Sequence, residues 1–202
     1  MKITARIANK SDVSFLDYPS NRKSCITYFL YGCNFSCEDC HNSSLRNCEA
    51  DSVSTEYSVS EFVTLIHEND RNKNRSNGMV VLQGGDPLST FNRNFTLNVL
   101  LDLYELNSYL KLCIYTGYNF NIAKGALGKF VPAKYSYNHF LSIIGSHLIF
   151  LKCGQYDKTQ AQQSCKKDNK MYLASKNQEM YQYNNKSNIY ECISSSGVLS
   201  LE

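Results

Sequence analysis

The stretch Cys25-Ile-Thr-Tyr-Phe-Leu-Tyr-Gly-Cys-Asn-Phe-Ser-Cys-Glu-Asp-Cys40 joins a strongly apolar segment to a group of three cysteines. Residues 24–31 are almost all apolar, aromatic or β-branched, which predicts a strand that is buried on both faces. Strands of this kind are typical of parallel sheets covered by helices. The cysteines that follow, Cys33, Cys37 and Cys40, therefore lie at the carboxyl end of a predicted core strand.

The number of clustered cysteines limits which metal sites are possible. A structural zinc site uses four ligands, and a closed cubane iron–sulfur cluster uses four thiolates. Three thiolates can hold three corners of a 4Fe–4S cube and leave the fourth iron open to a small molecule, as in catalytic metal centres. The alternative is a zinc-stabilised binding module with His41 or Cys48 as fourth ligand, but this leaves the segment Gly84-Gly-Asp-Pro87 unexplained.

Composition favours one ordinary globular domain. The chain has 202 residues, of which 43% are hydrophobic and 19% are charged, and its net charge is +3. A basic block that would indicate nucleic-acid binding is absent, and no apolar run is long enough to span a membrane. No signal peptide is visible, so we expect a cytoplasmic protein. Nine cysteines, an odd number, fit metal ligands and free thiols better than disulfides.

Predicted strands and helices alternate along the chain. A capping box, Ser58-Val-Ser-Glu61, predicts a helix that begins there and ends near residue 70. The other predicted elements are strands at 2–8, 79–82, 111–115 and 148–151 and helices at 94–109 and 137–146. This order predicts βαβ units and a mainly parallel sheet in a single domain, residues 1–202. We expect its core at about 16–155 and a polar C-terminal extension at 156–202, with one strand at 188–193.

Each segment with unusual residues follows a predicted strand. The cysteines follow the first core strand, Gly84-Gly-Asp-Pro87 follows the second, and Thr116-Gly-Tyr118 follows the third. Ligands of parallel α/β folds bind at the carboxyl ends of the strands, so these segments are expected to meet on one rim. Two adjacent glycines let a backbone approach a ligand closely, and the carboxylate of Asp86 suits a cationic group.

Taken together, the cysteine motif and Gly84-Gly-Asp-Pro87 resemble the radical S-adenosylmethionine superfamily. The resemblance implies a partial TIM-like (β/α) barrel in which Cys33, Cys37 and Cys40 hold a 4Fe–4S cluster. It also implies that the open iron binds S-adenosylmethionine, and that cluster and cofactor carry the radical chemistry without a catalytic side chain. The residues that it assigns to S-adenosylmethionine binding are Asp39, Cys40, His41, Gly84, Gly85, Asp86 and Thr116.

Further motifs resemble particular groups of enzymes within this superfamily. Leu16-Asp-Tyr-Pro19 and Cys40-His-Asn42 resemble the activating enzymes of glycyl-radical enzymes. The motifs that resemble activating proteins of anaerobic ribonucleoside-triphosphate reductase are Gly84-Gly-Asp-Pro-Leu88, Tyr115-Thr-Gly-Tyr118 and Ala174-Ser-Lys-Asn-Gln178. The partners implied are the large catalytic subunit of that reductase and a flavodoxin-like electron donor. The alternative within the superfamily is an enzyme that acts on a small molecule, such as 7-carboxy-7-deazaguanine synthase.

The sequence allows more than one role for each of three side chains. Asp39 stands where the superfamily often has an aromatic residue and many reductase activators have glycine. Its carboxylate would lower the potential of a neighbouring cluster or accept a hydrogen bond from the nucleoside. His41 either donates a hydrogen bond to the cluster or the nucleoside, or packs within its loop. Thr116 either lines the nucleoside site, or serves only in a turn or in core packing.

Overall fold

A computed structural model of the protein describes residues 2–201 except 22, 50, 74–77, 130 and 132–134. The first half of the described chain contains β1 (Thr4–Ala8), β2 (Asp12–Ser14), β3 (Cys25–Leu30), β4 (Ser54–Ser58), α1 (Val59–Lys73), β5 (Met79–Gly84) and α2 (Arg93–Glu105). The second half contains β6 (Lys111–Tyr115), α3 (Phe120–Gly128), α4 (Tyr137–His147), β7 (Leu148–Cys153), β8 (Cys165–Lys167), β9 (Lys170–Tyr172), β10 (Glu179–Asn184), β11 (Ile189–Cys192), β12 (Ser194–Ser195) and β13 (Val198–Ser200). None of the described helices is long and apolar enough to cross a membrane.

The main sheet has the strand order β11-β10-β7-β6-β5-β3-β1-β4, and β2 pairs with β3 beside this path. Its four central strands, β3, β5, β6 and β7, run parallel. Antiparallel strands extend the sheet on both sides. Helices lie in the connections between the parallel strands, which confirms the predicted α/β fold with a parallel-rich sheet. This arrangement is compatible with a partial barrel.

The two faces of the main sheet are covered differently. Helices cover one face, where Phe62, Phe95 and Phe140 are fully buried in a large apolar core. A second sheet, of order β12-β13-β9-β8, covers part of the opposite face. The second sheet contributes Met171 and Leu199 to a smaller apolar core. Burial of both faces explains why the central strands read as continuous apolar runs in the sequence.

The residues after 155 take part in the folded structure. β10 pairs with β7 over Glu179–Gln182, and Met180 on this strand is fully buried. The strand predicted at 188–193 is observed as β11. The remaining strands of this region, β8, β9, β12 and β13, are only two or three residues long. Such short strands carry too few alternating positions to be recognised from sequence.

The predicted capping box is formed. The backbone N–H of Ser58 donates to the Glu61 carboxylate over 2.8 Å, and the Glu61 N–H donates to Ser58 Oγ over 3.4 Å. Helix α2 ends at Glu105, before the predicted residue 109, because Asn107 adopts a left-handed backbone with φ 48°. The sequence patterns did not predict α3, which begins after an Asn119 cap.

Candidate metal centre

The carboxyl ends of the four parallel strands surround one pocket. The loop after β3, residues 33–40, contributes its three cysteines to the pocket wall. The end of β5 contributes Gly84 and continues into Gly85 and Asp86, and the turn after β6 contributes Thr116. Seven of the residues predicted to bind the cluster or S-adenosylmethionine are therefore brought together, as the convergence of the strand ends predicts.

Backbone hydrogen bonds hold the base of the cysteine loop. The N–H of Gly32 donates to Leu45 O over 2.8 Å, and the N–H of Cys33 donates to Arg46 O over 3.0 Å. A short 3₁₀ turn, Ser43–Leu45, brings the chain back from the third cysteine to this base. The loop is thus closed where it leaves the strand, while its three thiols are only half-buried.

Cys33, Cys37 and Cys40 line one pocket wall, and three thiolates are the number that a cubane cluster with one open iron uses. No three or more His, Cys, Asp or Glu side chains among the described residues form a group that could hold a single metal ion. In a cube each thiolate binds a different iron, so its ligands surround a cluster and not one point. Of the described residues, neither His41 nor Cys48, the candidate zinc ligands, lines the pocket. Burial raises the pKa of the Cys33 thiol to about 11, and iron binding replaces that proton.

The Gly84–Gly85 backbone lies directly against the start of the cysteine loop. Gly85 N–H donates to Leu30 O over 2.6 Å, and Asp86 N–H donates to Gly32 O over 2.8 Å. Gly84 has φ 103°, a conformation that side chains with a Cβ rarely adopt. A Cβ on Gly85 would lie 2.5 Å from Gly32 O. Both glycines are therefore needed for the two loops to approach one another.

The carboxylate of Asp86 is buried and already bonded within the protein. One oxygen accepts from Leu88 N–H over 2.8 Å, and the other accepts from Gly117 N–H over 2.9 Å and from the Thr116 hydroxyl over 3.0 Å. Burial raises the pKa of Asp86 to about 6, although these hydrogen bonds act in the opposite direction. Asp86 thus joins the loops after β5 and β6 beneath the pocket.

Thr116 lines the pocket and also forms a turn. Its side chain is buried and lines the pocket, and its Oγ1 also accepts the N–H of Tyr118 over 3.2 Å to form a turn. Contact with a nucleoside stays a prediction.

Asp39 and His41 lie outside the pocket wall. Asp39 adopts a left-handed backbone with φ 54°, which aspartate tolerates better than most residues and glycine adopts freely. Its side chain is 73% exposed and lies 3.8 Å from Lys158 Nζ. The exposed ring of His41 lies 5.6 Å from the ring of Tyr156. Roles of either residue in binding S-adenosylmethionine stay predictions.

Two residues of the site were missed at the sequence level. Asn92 is buried, and its Nδ2 lies within 2.8–3.1 Å of the carbonyl oxygens of Tyr31, Gly32 and Asp86. It thereby links the cysteine loop to the Gly-Gly-Asp loop. No local sequence pattern indicates these distant partners, and its side chain makes no capping hydrogen bond to helix α2.

Lys152 is the second missed residue. It is the only basic residue among the described residues that line the pocket. Its Nζ lies 4.6 Å from the ring centroid of Tyr115, a cation–π contact, and burial lowers the pKa of Lys152 to about 8. The sequence feature that could have indicated this residue is a charged side chain at the carboxyl end of β7, a strand that is otherwise apolar.

The segment Ala174–Gln178 reaches the pocket through its last residue. Gln178 donates from Nε2 to Gly154 O over 3.1 Å and accepts the N–H of Ser175 at Oε1 over 3.2 Å. Asn177 donates to Gln155 O over 2.9 Å. These bonds fasten the segment to the loop after β7 and make Gln178 part of the pocket wall.

Comparison with known proteins agrees with this geometry. Residues 22–181, which are most of the chain, match the family model described as 4Fe-4S single cluster domain. No curated protein matches the chain. The matched range includes the three cysteines and the Gly84–Asp86 segment, and S-adenosylmethionine is the cofactor that this family implies. The chain therefore belongs to the 4Fe-4S single cluster domain family and is an iron–sulfur domain of the radical S-adenosylmethionine type.

Proposed function

We propose that this protein is an activase that generates a glycyl radical on the large catalytic subunit of an anaerobic ribonucleoside-triphosphate reductase. The observation that carries the proposal is the single pocket shared by the three cysteines and the Gly84–Asp86 segment. The choice of target is supported by the motifs Gly84–Leu88, Tyr115–Tyr118 and Ala174–Gln178, which resemble those of reductase activators. All three motifs contribute residues to the wall of the same pocket.

Cys33, Cys37 and Cys40 would hold the cluster, and the cluster with S-adenosylmethionine would supply the radical that takes a hydrogen atom from a glycine. The protein's own part is binding and orientation. Gly84 and Gly85 line the pocket, and their backbone groups suit the amino group of the cofactor. Asp86 keeps that backbone in position through its bonds to Thr116 and to Gly117.

Lys152 provides the positive charge that the carboxylate of S-adenosylmethionine needs. With a pKa of about 8, its ammonium group is mostly protonated at neutral pH. Phe35, Tyr115 and Tyr156 also line the wall, and their aromatic surface lowers the local polarity around Lys152. Low local polarity strengthens the attraction between an ammonium and a carboxylate.

We further propose a flavodoxin-like protein as electron donor and the cytoplasm as compartment. The nine cysteines are free thiols in the structure, which fits a reducing environment. A flavodoxin with its reductase would then replace chemical reductant in the assay below.

The test is anaerobic reconstitution with iron and sulfide, followed by reductant, S-adenosylmethionine and the large reductase subunit. We expect 5′-deoxyadenosine together with a glycyl-radical signal in electron paramagnetic resonance (EPR) spectra. A subunit whose radical glycine is replaced by alanine, and the variant Cys40→Ser of this protein, should both lack that signal. Formation of 5′-deoxyadenosine without a glycyl radical would favour an enzyme acting on a small molecule. A reconstituted cluster with no 5′-deoxyadenosine would contradict the enzymatic proposal.

A further inference from the structure

Arg46 touches the cysteine loop at two points. Its backbone oxygen accepts the N–H of Cys33 over 3.0 Å, and its guanidinium donates to the carbonyl oxygen of Cys37. The 3₁₀ turn Ser43–Leu45 delivers Arg46 to this position after the third cysteine. One residue therefore connects the segments that carry the first two cysteines.

We infer that Arg46 is a positioning residue for the 4Fe–4S cluster, one that both shapes the loop and raises the reduction potential of the cluster. The inference rests on the cluster that the family carries and does not depend on which protein is activated. It would therefore survive the failure of the proposed reductase target.

The shaping role follows from the hydrogen bonds. Cys33 is at the base of the loop, where backbone pairing already holds it, whereas Cys37 lies within the loop among exposed residues. The guanidinium of Arg46 fixes the peptide group at Cys37, which limits where the Cys37 thiolate can point. A planar group with several donors suits this task better than the single ammonium of a lysine.

The effect on potential follows from charge. Reduction adds one electron, as the 4Fe–4S cluster passes from its 2+ to its 1+ state, so the reduced form carries one more negative charge. The guanidinium of Arg46 is half-buried and contacts the loop at Cys37, so its positive charge lies beside the segment that would hold the cluster. The opposing carboxylates on the loop, Glu38 and Asp39, are exposed to solvent and lie beside Lys158, which offsets part of their charge.

The experiment compares the variants Arg46→Lys, Arg46→Gln and Arg46→Met after anaerobic reconstitution. Two quantities are measured: iron and acid-labile sulfide per chain, and the midpoint potential from an EPR-monitored titration with a photoreduced deazaflavin as one-electron reductant. Arg71→Gln is the matched control, because the Arg71 guanidinium also donates to a backbone carbonyl, that of His67, but within helix α1.

We expect Arg46→Gln and Arg46→Met to have more negative midpoint potentials than the unchanged protein. The potential of Arg46→Lys should lie between those of the two neutral variants and that of the unchanged protein, and the potential of Arg71→Gln should not change. A lower iron content in Arg46→Met than in Arg46→Gln would reflect the lost donor to Cys37 and support the shaping role. Equal iron content and equal potentials in all variants would overturn the inference. Lower iron content at an unchanged potential would overturn its electrostatic part and leave Arg46 a structural residue only.

Discussion

The two loops that meet in the pocket differ in how they are held. The cysteine loop, residues 33–40, alternates half-buried cysteines with exposed polar residues and is fastened mainly at its base. The Gly84–Asp86 loop is packed against the neighbouring backbone, and the carboxylate of Asp86 is buried with three donors around it. The first loop is thus suited to being completed by a cluster, whereas the second is already fixed by bonds within the protein.

The contrast has a physical reason. A metal cluster contributes binding free energy to the loop that holds it, so that loop needs little packing of its own. A loop that presents backbone groups to an organic cofactor gains no such covalent support. Its geometry must come from hydrogen bonds and close packing within the chain, as at Gly85 and Asp86.

The largest effect is expected from replacing Cys33, Cys37 and Cys40 together by serine. Iron binding should be lost completely, because serine supplies no thiolate. The free energy of unfolding should differ from that of the cluster-free protein by less than about 1 kcal/mol, since all three positions are half-buried. Iron analysis and urea unfolding measure both quantities. A triple variant that fails to fold would contradict the view that the cysteine loop is held mainly at its base.

Unlike the cysteine substitutions, a substitution in the Gly84–Asp86 loop should lower the free energy of unfolding. Gly85→Ala places a Cβ against backbone oxygens that cannot move aside, so we expect a loss of about 2–4 kcal/mol in the free energy of unfolding. The matched control is Gly125→Ala in helix α3, where a Cβ meets open space. That control should be neutral or stabilising by up to about 1 kcal/mol. Equal effects at both glycines would show that the close approach at Gly85 is not needed.

The buried carboxylate predicts a dependence of stability on pH. The folded chain holds the proton of Asp86 more tightly than the unfolded chain, since the pKa rises from 3.8 to about 6. Its contribution to stability is therefore greatest below pH 3.8 and falls by about 3 kcal/mol as pH rises through 6.

This dependence is measured as the difference between Asp86→Asn and the parent across pH 4–7, on the cluster-free triple-serine background so that acid cannot release iron. Asparagine does not titrate, so the variant should lack this part of the slope. Parallel stability curves for the two proteins would contradict the predicted shift.

A smaller effect is expected at Asn92. Its replacement by alanine removes one donor from three carbonyl oxygens, of which Gly32 O and Asp86 O keep the backbone N–H groups of Asp86 and Ser89. The free energy of unfolding should fall by about 1–3 kcal/mol, mainly because Tyr31 O loses its donor and the link between the loops is lost. Asn98→Ala in helix α2 is the control, because that side chain donates to Asn94 O at the exposed surface. The control should change stability by about 0.5 kcal/mol or less. Equal losses at the two asparagines would argue against a link between the loops through Asn92.

Much of the fold could be predicted because its signals are local. Apolar runs predicted the parallel strands, and the box at Ser58 and Glu61 predicted the start of α1. The short strands after residue 155 could not be predicted, since β8 and β9 are stable only as parts of a sheet that packs on the main one. Contacts between distant segments decide such elements, and sequence patterns do not report those contacts.

By itself the sequence determined the kind of chemistry. The spacing of Cys33, Cys37 and Cys40 and the glycines after β5 are local features, and local features survive folding unchanged. Only the tertiary structure decided what surrounds them: Asp39 points toward Lys158, and Arg46 reaches Cys37. Tertiary packing also placed Asn92 and Lys152 at the site. The direction of a side chain depends on which distant backbone packs beside it, and that is settled only when the sheet has formed.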